Sequence, residues 1–325
     1  MKKVLFATTA LVASTSFAMA DVDLSGSAEM GIVGGDGFED QFHTDIDVTF
    51  SMSGTTDTGL TFGASIDLDE SDADRTIAGV PINNQNGTTE DIEVGGSPAF
   101  DNTTQGGETI FVSGAFGTLT MGDTDGAFDW ALAEAIIGSA INDDHEHAGY
   151  NGNAGLDGTF DGQIARYDYS FGDFAFAASA EMNDENDNDD DDVFGLGAKY
   201  SGEFGTMNLG FGLGYQTRDE ADIVGVSVTA GMDNGIKAIL NYSDLDGVNG
   251  NDHHTGLAVG YSAGAITVAA NYGIFERVDG SENEGFGLIG NYDLGGGAQL
   301  QAGYGNSDRD GVDTDRYSLG VAMSF

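Results

Sequence analysis

The last ten residues, RYSLGVAMSF, put Tyr317, Leu319, Val321, Met323 and Phe325 on one parity and Arg316, Ser318, Gly320, Ala322 and Ser324 on the other. A β-strand turns successive side chains to opposite faces, so this segment has one apolar and one polar face. The split recurs in TMNLGFGLGYQTR, where Met207, Leu209, Phe211, Leu213 and Tyr215 alternate with Asn208, Gly210, Gly212, Gly214 and Gln216. It recurs again in LTFGASIDLD, where Leu60, Phe62, Ala64, Ile66 and Leu68 alternate with Thr61, Gly63, Ser65, Asp67 and Asp69. One face suits hydrocarbon and the other suits water, which predicts an all-β, transmembrane antiparallel β-barrel.

Segmenting the chain by this rule gives about 16 strands, an even number as single-chain outer-membrane barrels have. They centre near residues 27, 47, 64, 112, 120, 167, 178, 197, 211, 228, 239, 258, 270, 290, 302 and 321. Short connections (residues 55–59, 117, 171–173, 202–205, 233–235, 262–265 and 295–297) alternate with others, most of them longer and acidic, including 34–41, 71–107, 122–162, 183–192 and 247–251. Short turns on one side and long loops on the other is the layout of such a barrel, with both termini on the short-turn, periplasmic side. A soluble barrel with a polar exterior would give the same alternation but is disfavoured, because about 16 strands enclose more space than side chains can fill.

Residues 122–162 form the longest interruption of the alternation and carry the single tryptophan. Some forty residues without strand pattern need a function or a container. Phe128, Leu132 and Ile136 recur every four residues, which predicts one face of a short helix. The expectation is that this third loop folds into the lumen and narrows it, with Trp130, Glu134, Asp143, Asp144, His145, Glu146 and His147 at the constriction.

Composition narrows the picture further. Lys2 and Lys3 precede an apolar run closed by Ala18-Met19-Ala20, the pattern of a signal peptide cleaved after Ala20, leaving residues 21–325 as one barrel domain. The remaining chain has 8 basic residues against 55 acidic ones, which excludes nucleic acid as a partner. It has no cysteine, so an exported form has no disulfides. No later apolar run reaches the ~20 residues of a membrane helix. Cysteine nucleophiles, GxSxG and HExxH are absent, and no catalytic set is expected; a barrel hydrolase is disfavoured on that ground.

The charged residues sit on the polar parity. Asp45, Asp47, Asp67 and Asp168 alternate with apolar neighbours and are candidates for the pore wall, as are Arg166 and Lys237, the alternative for the two cations being a rim or a periplasmic mouth. A midplane lysine or arginine facing lipid would cost ~2–4 kcal/mol, which accounts for the parity. His145 and His147 could ligate a transition metal from one side of an extended segment, but a solvated acidic loop is the favoured reading of NDDHEH. His253 and His254 in GNDHHTG begin a strand and read as loop residues rather than ligands. NDENDNDDDD offers oxygen ligands only, with Asp184, Asp187, Asp189 and Asp190 as a candidate calcium site, although the spacing of an EF-hand is lacking. Divalent ions there could bridge acidic loops to one another or to the phosphates of lipid and lipopolysaccharide. No cofactor is required.

MSGTTDTGLTFGASI (from Met52), FVSGAFGTLTMGD (from Phe111), YDLGGGAQLQAGYG (from Tyr292) and the terminal Phe325 resemble the general porins of alphaproteobacteria, of the Rhodobacter type. The likeness is strongest in the turns and first five strands and weakest in the outer loops. It implies a homotrimer of sixteen-stranded barrels in the bacterial outer membrane that passively admits small hydrophilic solutes, with the third loop as constriction, the early strands at the trimer axis and Phe325 as assembly signal. This sequence departs from the family in having few basic residues to oppose the acidic loop, so cations are the expected favoured ions. The alternative from another class is a plugged surface or adhesin barrel whose acidic loops bind calcium.

Overall fold

The computed structural model describes residues 21–70, 76–77, 92–93, 103–160, 162–183, 191–248 and 250–325. The segment at 1–20 that is expected to be a signal peptide, and Asp184, Asp187, Asp189 and Asp190, lie outside the described residues. The barrel strands are β1 (Asp21–Gly35), β2 (Phe38–Thr55), β3 (Thr61–Glu70), β4 (Thr103–Gly114), β5 (Gly117–Asp123), β6 (Gln163–Phe171), β7 (Phe174–Glu181) and β8 (Val193–Phe204). The second half comprises β9 (Met207–Arg218), β10 (Ala221–Met232), β11 (Ile236–Asp246), β12 (Asn251–Ala263), β13 (Ile266–Arg277), β14 (Glu282–Gly295), β15 (Ala298–Arg309) and β16 (Val312–Ser324). Each pairs antiparallel with its neighbours in the chain, and β16 closes on β1 from Ser27↔Ser324 to Gly35↔Arg316. A separate two-residue pair joins Thr76–Ile77 to Ile92–Glu93. Every centre read from the alternation falls inside one of these strands.

The barrel is inverted relative to a soluble protein. Leu319 is 61% exposed on the outer face, whereas Ser318 beside it is 4% exposed. Gln216, Ser227, Asn241, Asn271, Asn291 and Gln301 are likewise buried, while Leu213, Val226, Leu240, Val259 and Leu288 are exposed. Lipid removes the penalty for an apolar exterior, and closure leaves no unpaired strand edge in it. Strands of 12 residues, as in β8, β9, β10, β13 and β15, rise ~40 Å and, tilted by ~40°, cross a layer of ~30 Å.

On the side away from the termini one described connection is shorter than the alternation predicts. The connection expected at 34–41 is the two-residue turn Asp36–Gly37, because β1 and β2 stay paired to Gly35↔Phe38. Asp219-Glu220 and Asp310-Gly311 are equally tight. Asp219 (φ 49°), Asp310 (φ 52°) and Gly311 (φ 80°) adopt left-handed backbone, which Asp, Asn and Gly tolerate in hairpins. Hairpins continue past the lipid boundary on backbone bonds alone, where the apolar-polar signal has already stopped.

Candidate functional site

Between β5 and β6, residues 124–162 run inside the barrel, and the wall is built to receive them. The helix α1 (Ala127–Ala131) ends where Leu132 takes an extended backbone (φ −96°, ψ 153°). It is thus shorter than the Phe128, Leu132, Ile136 spacing predicts, and Ile136 lies beyond it. Polar wall side chains take over the hydrogen bonds that a longer helix would make: Ala133 N–H donates to Ser227 Oγ at 2.9 Å, and Asn241 Nδ2 donates to Ala133 O at 2.8 Å. Phe128 and Leu132 pack with Leu156, Val193, Ile223 and Leu245 in an apolar cluster beneath the loop. Two inward glycines make room for it. A methyl at Gly214 would lie 2.7 Å from Phe128 Cδ2, and one at Gly225 would lie 2.5 Å from Leu132 Cδ1.

The loop then follows the wall around the lumen. Ala127 N–H donates to Ser179 Oγ (2.8 Å), Asn291 Nδ2 to Ser139 O (3.0 Å), Gln301 Nε2 to Ser139 Oγ (2.8 Å), and Asn142 N–H to Glu29 Oε2 on β1 (3.1 Å). On the way back, Ala148 N–H donates to Ser307 Oγ (2.9 Å), His254 Nε2–H to Gly149 O (3.0 Å) and Leu156 N–H to Gln216 Oε1 (2.7 Å). Glu181, 1% exposed, finally accepts the N–H groups of Gly158 (3.0 Å), Phe160 (3.1 Å) and Gly162 (2.9 Å). A buried carboxylate with three backbone donors is satisfied in a way that an unpaired one would not be.

The residues expected at the constriction are all on this loop, but NDDHEH is not the solvated stretch that its charge suggests. Asp144, His145 and His147 are 1%, 2% and 8% exposed. Residues 141–143 form a 3₁₀ turn with Asn142 at φ 54°, so the segment is not extended, and its backbone is pressed against wall glycines. A methyl at Gly287 would collide with His145 O, and one at Gly305 would lie 2.6 Å from Glu146 O. Asp143 remains exposed to the lumen. Among the described residues, no three His, Asp or Glu side chains are grouped so as to hold a metal. The two histidines at 253 and 254 sit inside β12 rather than in a loop, and His254 is buried beneath Gly149.

Burial sets the protonation of the loop. It pushes Glu146 and Asp129 up to about 7, and Asp157 up to about 6 despite hydrogen bonds from Gly126 N–H (2.9 Å) and Gln216 Nε2 (2.5 Å). Asp144 also rises to about 6 through burial, opposed by its hydrogen bond from Asn142 Nδ2 at 3.1 Å. Tyr150 is pushed well above the usual phenol range by burial and by donating to Glu134. His147 falls to about 4, through burial and then the neighbouring histidines at 254 and 145, and burial also lowers His145. Raised carboxylates penalise the seated loop above the ordinary carboxylate range near 4, and that penalty disappears as pH falls through 7 to 4. The lowered histidines act the other way below ~6.5. Glu146, Asp129, Asp144 and Asp157 therefore favour the seated loop at pH 5 over pH 8, and the buried histidines oppose them.

Opposite the loop the wall is acidic too. Ser27, Glu29, His43, Asp45 and Asp47 on β1 and β2, with Asp143 from the loop, line a chamber of about 390 Å³. Asp47 Oδ2 accepts Ser27 Oγ–H at 2.8 Å, and Asp67 Oδ1 accepts Thr49 Oγ1–H at 2.8 Å. Arg166 stands 3.8 Å from Asp168 and donates to Asp125 O, so it holds the start of the loop. Lys237 is exposed on the terminus side beside the turn at residues 233–235, at the mouth rather than the constriction, because parity fixes a side chain's face but not its depth. Lys199 meets the loop as well: its Nζ donates to Trp130 O at 2.9 Å and lies 3.6 Å from the centre of the Trp130 ring. Its polar parity beside Tyr200 was readable from sequence, but its proximity to Trp130 was not.

The sequence model of Gram-negative porins matches residues 7–312. The chain belongs to that family. A porin of Rhodobacter capsulatus is 30% identical over 340 residues, covering 94% of this chain and all of that relative. A porin structure refined at 1.8 Å is similar with a TM-score of 0.67 and 26% identity, over 94% of this chain and all of the other. A variant of Rh. blastica porin shares the fold at a TM-score of 0.68 and 18% identity with the same coverage. Porins are channels rather than enzymes. In this one the wall glycines and amides seat the third loop, and Asp143 of that loop faces the acids on β1 and β2.

Proposed function

We propose that this porin is a cation-preferring general diffusion channel of the outer membrane, working as a homotrimer without cofactor or energy input. The observation that supports it most is the chamber between Asp143 and the wall acids Glu29, Asp45 and Asp47, where loop and wall carry the same sign. A water-filled passage through a low-dielectric wall focuses that field and concentrates cations. Trp130, Glu134, Asp143, Asp144, His145, Glu146 and His147 form the loop side of the constriction, and Asp45, Asp47, Asp67, Arg166 and Asp168 contribute to the wall. The acidic residues around 184–192 are proposed to meet divalent ions, calcium among them, that bridge to lipopolysaccharide phosphates.

Protonation gives the test. Glu146 and Asp129 at about 7 and Asp144 and Asp157 at about 6 lose their charge as pH falls from 8 to 5. Single channels in 0.01 M potassium chloride should therefore lose about half or more of their potassium-over-chloride preference across that interval, with the change centred near 6–7 and not near 4. A preference that stays flat down to pH 5 would show that these carboxyls do not act on the permeating ion.

Assembly has its own test. Phe325 N–H donates to Gly26 O at 2.9 Å, while its ring is 78% exposed, so the ring is free for recognition and the backbone already serves closure. Deleting Phe325 removes one backbone bond worth ~1 kcal/mol, too little to open the barrel, yet should lower heat-modifiable trimer in outer membranes several-fold. Unchanged trimer would remove the signal role.

A further inference from the structure

The chamber facing Asp143 has features that plain cation attraction does not require. His43 is 7% exposed, and its Nε2 has no hydrogen-bond partner. That nitrogen lies 4.0 Å from Glu29 Oε2, beyond hydrogen-bonding distance, where the two could share a third group. A buried polar atom left without a partner carries a desolvation cost that a bound donor would relieve. Glu29 is anchored by Asn142 N–H at 3.1 Å, and Asp47 by Ser27 Oγ–H at 2.8 Å, so both carboxylates are fixed in orientation with lone pairs to spare.

The charge of the lining calls for a cation, and the geometry selects its kind. Coordination of a bare metal needs several oxygen or nitrogen ligands converging at ~2.0–2.6 Å, and no such group of three exists among the described residues. An alkylammonium makes no such demand, since each N–H reaches a separate acceptor at ~2.7–3.0 Å, and a neutral imidazole nitrogen is one. The volume of about 390 Å³ is also larger than a single ion uses and lies in the range of small-molecule sites, ~300–1,000 Å³.

We infer that the chamber is a dwell site for small organic diammonium cations, one ammonium shared by Glu29 and His43 Nε2 and the other held by Asp47 and Asp143. The inference rests on the channel reading of the same constriction and names a class of solute that pauses there. Such a cation crosses more slowly than potassium and obstructs it while bound.

The test is single-channel recording in about 0.1 M potassium chloride, where the Debye length is ~10 Å, with millimolar 1,4-diaminobutane or the same concentration of magnesium chloride on one side. Diaminobutane should produce discrete closures and reduce mean potassium current about twofold, while magnesium, equal in valence but without N–H donors, should do much less. Asp47→Asn and His43→Leu, made separately so that one can report if the other fails to assemble, should each raise the diamine concentration needed for block by about tenfold, or ~1.4 kcal/mol. Equal block by magnesium, or unchanged diamine block in both variants, would overturn the site. A potassium-preferring channel indifferent to diamines would overturn the site and leave the channel reading standing, whereas a channel without potassium preference would overturn both.

Discussion

Replacing Glu181 by alanine should turn a quiet channel into a noisy one of higher mean conductance while the barrel stays folded. The side chain accepts three backbone N–H groups from the end of the third loop, and each bond to a buried charge is worth ~1.5–3 kcal/mol. The return limb would therefore lose on the order of 5 kcal/mol of its hold on the wall, with three donors left to find water. Backbone pairing of β7 is untouched, because Glu181 pairs with Ile164 and Val193 through main-chain atoms that alanine also has. Glu181→Gln keeps one acceptor oxygen and should fall between the two. The readout is current noise and mean conductance in bilayers, with heat-modifiability on gels as the check on folding. A silent, wild-type-like record from the alanine variant would mean that the loop is held elsewhere.

Removing residues 142–153 should have the larger effect on permeation. The deletion takes away the part of the loop that reaches Glu29, together with Asp143, Asp144 and Glu146. The limbs on either side keep their own anchors, Ala133 at Ser227 and Asn241 before the gap and Leu156 at Gln216 after it. Conductance should rise several-fold and liposomes should admit larger sugars, while potassium preference falls because the wall acids lose their partners across the lumen. If conductance stayed within about a fifth of the parent value, the narrowest point would have to lie elsewhere.

The strands were legible because a lipid-facing surface imposes a strict rule on every second residue. RYSLGVAMSF announces β16 by itself, and Arg309↔Val312 shows that its pairing continues with β15 where the apolar pattern has faded. The same rule is silent beyond the lipid, which is why Asp36-Gly37 was read as part of a longer loop. The interior was less legible. The burial of Asp144 and His145 depends on glycines at 287 and 305, far along the chain, and on the path of the loop between them. Glu181 and Lys199 carry no local mark either, since a carboxylate ending a strand and a lysine on the polar face are ordinary there. What sets them apart is contact with Gly158, Phe160 and Gly162 and with Trp130.

The central claim is that loop and wall together form an acidic constriction. The most direct measurement is the zero-current potential of the reconstituted channel across a tenfold potassium chloride gradient at neutral pH, once near 0.01 M and once near 1 M. At the dilute end the Debye length is ~30 Å and spans the pore, and at the concentrated end it is ~3 Å. The expected potential favours potassium strongly in dilute salt, shrinks in concentrated salt, and is reduced by neutralising Asp143, Asp144 and Glu146 together. A potential that favours chloride in dilute salt would contradict the assignment of these carboxylates to the pore.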